Sequence, residues 1–119
     1  MSCSTDYTEG SRPITVANGS ELLERYMVEL NPCEGEKVPL SLVGKTVTAK
    51  AANMHGKVVR EFKTEIEADA VGAFTVSWDL REEHMTVGTY KYEVVVVDDF
   101  SDESLIVGYG PLEVTRESL

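Results

Sequence analysis

The sequence is short of positive charge, of cysteine and of long apolar runs, and each shortage removes a class of function. Eleven Lys and Arg stand against 21 Asp and Glu, a formal net charge of −10. Binding a phosphate backbone needs clustered cations. Nucleic acid is therefore not an expected partner, and neither is an anionic membrane surface. The longest strongly apolar run is Val94 to Val97, far below the roughly 20 residues of a spanning helix. Met1 to Arg12 lacks the apolar stretch of a secretory signal. The expected place of the chain is inside the cell that makes it, or in an assembly built there.

The two cysteines, Cys3 and Cys33, are too few for a disulfide framework. Neither has the His neighbour or the spacing of a zinc site or an activated thiol. Free thiols, a bond between the two, and a bond from Cys3 to another chain all remain open. The two histidines, His55 and His84, stand apart from each other and from both cysteines, and both read as surface residues. No Gly-x-Ser-x-Gly elbow and no phosphate loop is present. Arg81-Glu82-Glu83-His84 reads as a solvated corner, since adjacent acids on a strand or helix point in different directions and make no acid–base couple. Asp98, Asp99, Asp102 and Glu103 come nearest to a calcium site, but the ordered ligand series of a calcium loop is missing. The run reads as a hairpin tip, with Phe100 as a candidate contact anchor. No catalytic residue, cofactor or metal is expected.

What is present is alternation. The 119 residues suit one domain, and 42% hydrophobic residues suffice for a core. Val47, Ala49 and Ala51 share one strand face, and Val58, Phe62 and Ile66 share another, with a turn at Asn53 to Gly56 between them. Phe74, Val76, Trp78 and Leu80 form the strongest amphipathic strand. Tyr90, Tyr92, Val94 and Val96 follow on a strand whose four valines predict a central position. Leu105 to Val107 and Leu112 to Val114 read as two last strands, separated by Gly108-Tyr-Gly-Pro111. Residues 20–30 fit either a helical face or a strand face with Glu24 and Glu29 as misfits; the β context favours a strand. Arg81 to Thr86 reads as a corner that can hold one helical turn. Seven or eight short strands with turns every 8 to 12 residues predict an all-β antiparallel sandwich. The predicted division is an N-terminal arm at 1–12, the sandwich at 13–116 and a tail at 117–119. Phe62, Phe74, Trp78 and Tyr92 are the expected core aromatics. Cys3, Tyr7, Phe100 and Tyr109 are the candidate interaction residues.

Gly88-Thr-Tyr-Lys-Tyr92, opening a valine-rich strand after an irregular corner, resembles the tyrosine corner of immunoglobulin-like sandwiches, with Tyr90 as the corner residue. Tyr92 then stands where antibody domains carry their second cysteine, so the inter-sheet disulfide is absent. A wider likeness runs over residues 14–116. It consists of the strand after Gly19, Leu40-Ser-Leu-Val-Gly44, Phe74-Thr-Val-Ser-Trp78, Gly88 to Tyr92, and Leu105-Ile-Val-Gly-Tyr-Gly-Pro-Leu-Glu-Val114. This pattern resembles the small immunoglobulin-like structural proteins of tailed bacteriophages. The resemblance implies a non-catalytic virion protein that decorates the capsid or belongs to a neck, tail or baseplate. The implied partners are other virion proteins, with self-association or binding to a lattice. The competing expectation is a carbohydrate- or ligand-binding module of the same fold.

Overall fold

The computed structural model describes residues 6–7, 10–31 and 38–117. Among them there is no helix, and the strands are β1 (Asp6–Tyr7), β2 (Gly10–Ser11), β3 (Ile14–Ala17), β4 (Glu21–Met27), β5 (Glu29–Asn31), β6 (Val38–Pro39), β7 (Lys45–Ala52), β8 (Val58–Ile66), β9 (Ala73–Asp79), β10 (Gly88–Asp98) and β11 (Ser104–Thr115). The fold is an all-β sandwich. Hydrogen-bonded neighbours follow the order β2-β11-β10-β7-β8-β9-β4, with β3 also on β11, while β1, β5 and β6 form a small separate sheet.

The two layers are joined through β8. Its first half pairs with Ala49–Ala52 of β7, and its second half, Lys63–Ile66, pairs with Phe74–Ser77 of β9. A strand that changes layers cannot keep one face buried along its whole length. Phe62, at the crossover, is buried, whereas Val58 and Ile66 are exposed. That corrects the expectation of a common inward face for all three. Elsewhere the alternation of period two holds. Val47, Ala49 and Ala51 are buried from β7, Phe74, Val76 and Trp78 from β9, and Tyr92, Val94 and Val96 from β10. Strand β10 is central, between β11 and β7.

Residues 21–27 form a strand, as the β context requires, and β4 pairs antiparallel with β9 from Glu21↔Asp79 to Met27↔Ala73. Arg81 to Thr86 forms bends without a helical turn. The end of the chain departs from the expected pair of short strands. Ser104 to Thr115 is one continuous strand, because a bulge at Val94/Val95 absorbs an extra residue on β11 and the ladder continues through Gly108 to Pro111. The sandwich is not purely antiparallel: β2 and β3 run parallel to β11. Pairing therefore reaches into the segment that reads as an arm, and Asp6–Tyr7 pairs with Leu30–Asn31.

The corner ahead of β10 is closed by Tyr90, whose Oη donates to the carbonyl of Thr86 at 2.7 Å. Below it Asn18 ties the same corner to the β3–β4 turn: its Nδ2 donates to Met85 O at 2.8 Å and its Oδ1 accepts from Met85 N at 2.9 Å. Removing only the hydroxyl, by Tyr90→Phe, is expected to lower stability by about 1 kcal/mol. Urea unfolding should show this as a lower midpoint with an unchanged slope.

Candidate functional site

Three surfaces formed by the described residues are candidates for a binding function. The first lies on the outer face of β10 and β11. There Met54, Ile106, Tyr109 and Pro111 enclose an apolar groove of about 670 Å³, flanked by Lys91 and Glu93. The groove exists because of the bulge. In a regular strand Ile106 and Tyr109 would point to opposite faces. With Val107 taken up as the extra residue, Val107 and Gly108 are both buried, while Ile106 is 37% and Tyr109 41% exposed. Met54 reaches the groove from the Asn53–Gly56 turn, which Asn53 shapes by accepting the N–H of His55 and of Lys57 at 2.9 and 3.0 Å.

The second surface is the β10–β11 turn. Phe100 there is 91% exposed and lies over Gly44, next to Val43 at 89%. The acidic residues of this turn have structural work. Asp98 pairs with Lys45 at 2.9 Å and accepts the backbone N–H of Phe100 and of Ser101, and Asp99 accepts from Thr46 Oγ1 at 2.7 Å. No group of three or more metal-ligating side chains occurs among the described residues. The third surface is a polar hollow of about 620 Å³ on the outer face of β8 and β9. Part of its charge is paired, Arg60 with Glu83 at 3.0 Å, and Arg81 with Asp79 at 3.0 Å and Glu21 at 3.3 Å; Glu61, Lys63, Glu65 and Glu82 also line it.

Between the layers sits a polar cluster with no precedent in the expected sites. Glu24 faces inward from β4. Its Oε1 accepts Trp78 Nε1 at 2.9 Å, and its Oε2 pairs with the Arg12 guanidinium. Arg12 lies 5.9 Å from the Tyr26 ring centroid, and its carbonyl accepts Tyr92 Oη at 2.7 Å. Burial, and then the charge of Glu24, raise the phenol pKa of Tyr26 and of Tyr92, so both stay neutral donors. The approach of Arg12 is close enough to need glycine. A Cβ on Gly110, at φ +148°, would stand 2.5 Å from the Arg12 carbonyl oxygen. One signal of this cluster is visible in the chain: an acid in the middle of an otherwise apolar strand face, the misfit at Glu24.

The sequence-based candidates divide accordingly. Tyr109 lines the groove; Phe100 stands apart from its lining, at the hairpin tip. Cys3 and Cys33 lie outside the described residues, as does the side chain of Tyr7. Phe62, Phe74, Trp78 and Tyr92 are all buried. Met54, Ile106 and Pro111 were not foreseen, because the register shift that gathers them has no signature in the residues alone.

No family model and no curated protein matches the chain. Among solved structures, a family 123 glycoside hydrolase from Clostridium perfringens is similar at a TM-score of 0.58 and 9% identity, covering 98% of this chain and 28% of that one. The chain thus spans little more than a quarter of that enzyme, and the likeness is one of fold. CopC from Methylosinus trichosporium OB3b aligns over 98% of this chain and 94% of its own, with 17% identity and a TM-score of 0.45, a level of similarity that carries no argument.

Two outcomes follow from these contacts. Glu24→Ala leaves the buried indole N–H of Trp78 without an acceptor and Arg12 without its counter-ion. It is expected to lower stability by about 2–4 kcal/mol, and Glu24→Gln, which keeps an acceptor, by less; urea titration of the three proteins checks the order. The hydrogen bond from Lys45, then those from the Phe100 and Ser101 amides, lower the Asp98 pKa from 3.8 to about 2. Arg81 lowers Asp79 likewise to about 2. A carboxylate with a depressed folded pKa adds stability above its unfolded value and loses it as pH falls towards the folded one. Stability should therefore drop between about pH 4 and pH 2, and Asp98→Asn should flatten part of that drop in unfolding midpoints measured across this range.

Proposed function

We propose that the chain is a non-catalytic binding module whose outer β10–β11 face seats another protein, and that it serves as a structural component of a tailed-phage virion. The groove built from Met54, Ile106, Tyr109 and Pro111 carries the first half. An apolar strip with an aromatic member, rimmed by one basic and one acidic side chain, has the composition of the anchoring part of a protein interface. Its volume would also take a small ligand. However, it lies along the outside of a sheet, and only Lys91 and Glu93 supply charge at its rim. The charged hollow over β8 and β9 is the weaker candidate, since a partner there would have to break existing ion pairs.

The phage assignment rests on the residue pattern of 14–116. The phage structural role and the virion location belong to that resemblance. Within it, capsid decoration and a neck, tail or baseplate position are equal forms of one reading: a folded module that docks on a protein lattice. A net charge of −10 favours a basic partner surface and keeps free copies apart.

The test is co-sedimentation of the purified chain with purified heads and with purified tails of the phage that encodes it. Saturable binding to one of them is expected. The double variant Ile106→Asp/Tyr109→Ala, folded by circular dichroism, should bind at least about 10-fold more weakly, since central anchors carry roughly 2 kcal/mol or more. Equal binding by the variant would move the site off this face. Binding to a glycan array in place of virion proteins, lost with Tyr109, would replace this reading by the carbohydrate-binding one.

A further inference from the structure

Strand β4 ends the strand order of the sandwich, and among the described residues only β9 pairs with it. Natural edges are usually guarded by charged side chains, inward-pointing charges, a proline, a bulge or a covering loop, and β4 carries charges of both kinds, Glu21 and Arg25 outward and Glu24 inward. Strand β4 reads Glu-Leu-Leu-Glu-Arg-Tyr-Met, with no proline and no lysine, and its ladder to β9 runs without a register shift. Leu22, Glu24 and Tyr26 stand opposite Trp78, Val76 and Phe74 and so face inward. Leu23, Arg25 and Met27 face out. Leu23 is 61% and Met27 43% exposed.

The order of charges on that outward face selects the occupant. Glu21 and Arg25 lie two residues to either side of Leu23, on the same face. We propose that β4 is a self-recognition edge: two copies pair antiparallel about a two-fold axis through Leu23, continuing the β4–β9–β8 layer from one copy into the next. In this register each Glu21 stands opposite the Arg25 of the other copy, twice over, with the two Leu23 side chains between them. The neighbouring registers that keep the same face outward are worse. Centring on Arg25 sets two guanidinium groups against each other, centring on Glu24 sets Leu23 against Arg25, and centring on Leu22 sets Leu23 against Glu21. A shift of one residue would turn the apolar positions to the wrong side. Opposed like charges cost stability and opposed unlike charges add to it.

Both charged side chains also have partners within their own copy. Arg25 holds Glu67 through Nε and Nη2, both at 2.9 Å, which leaves Nη1, and its side chain is 54% exposed. Glu21 uses Oε2 for Ser77 and Arg81, which leaves Oε1. Arg25 reaches Glu67 across β9, and Glu21 leans over β9 to Ser77 and Arg81, so pairing across the free edge requires both side chains to swing back towards it. A strand of seven residues is about 23 Å long and buries little area. Each copy also carries a net charge of −10. The dimer is therefore weak and reversible, the kind of contact that counts when copies are held side by side on a lattice. The edge is separate from the β10–β11 groove, so variants in one leave the other untouched and the two readings fail independently.

Single cysteines placed in a Cys3→Ser/Cys33→Ser background test the register. About the proposed axis the two Leu23 Cα atoms lie about 4.5–5.5 Å apart, within the Cα range of a disulfide. The two Arg25 positions are four residues apart along the ladder, about 13 Å. Under mild oxidation Leu23→Cys should form a covalent dimer at least about 10-fold faster than Arg25→Cys. Sedimentation of the unmodified chain from about 10 μM to 1 mM should show a reversible dimer, lost in Leu23→Lys. Cross-linking at equal rates would overturn the register, and a chain that stays monomeric throughout, with no preference for Leu23→Cys, would overturn the dimer.

Discussion

Trp78 holds the two layers together, and the other features of the molecule are arranged around it. It comes from β9 in one layer and meets Tyr92 of β10 in the other, edge to face, with ring centroids 5.3 Å apart. Phe62, at the point where β8 changes layers, lies against it at 4.8 Å. Antibody domains tie their two layers with a disulfide; here aromatic contacts among Trp78, Tyr92 and Phe62 cross between the layers. An indole alone would hold by apolar contact, but its N–H also needs an acceptor when buried. Glu24 supplies that acceptor from β4, and a partly buried carboxylate in turn needs a cation. Arg12 supplies it. The chain of requirements runs from one large aromatic to the first residues that pair with β11.

That chain explains why the N-terminal segment lies where it does. Arg12 can reach Glu24 only if the backbone passes close to β11, and Gly110 leaves room for it. Strands β2 and β3 then fall into parallel register with β11. They cover the edge of that strand over part of its length and leave its outer face open. The bulge between Val94 and Val95 turns Ile106 and Tyr109 to that same face. The groove thus results from one extra residue on a strand whose inward side is fixed by the core. In the other layer no strand among the described residues plays the part of β3, and β4 ends the strand order.

Most of the frame was legible in the residues, because two-residue alternation is a local property and Ala49, Phe74, Trp78 and Val94 obey it. The hydrogen bond from Tyr90 to Thr86 is local in the same way, reaching only four residues back. Three things were not legible. The layer change within β8 left Val58 and Ile66 outside, and nothing local distinguishes them from Phe62. The bulge on β11 made one strand of a stretch whose glycines and proline read as a break. The Glu24–Arg12 pair spans 12 positions in sequence, and its only trace was an acid out of pattern. The groove depends on the second of these, which is why Tyr109 was picked out and Ile106 and Met54 were not.

Hydrogen exchange at the indole N–H of Trp78, the only tryptophan in the chain, tests most directly whether this side chain is the pin between the layers. If it is, the proton leaves only when the whole domain unfolds. The free energy of exchange then equals the global stability from urea titration, and both fall together in Glu24→Ala. Exchange well below the global value, through a local opening between β4 and β9 while the Val94 and Val96 amides stay protected, would contradict it.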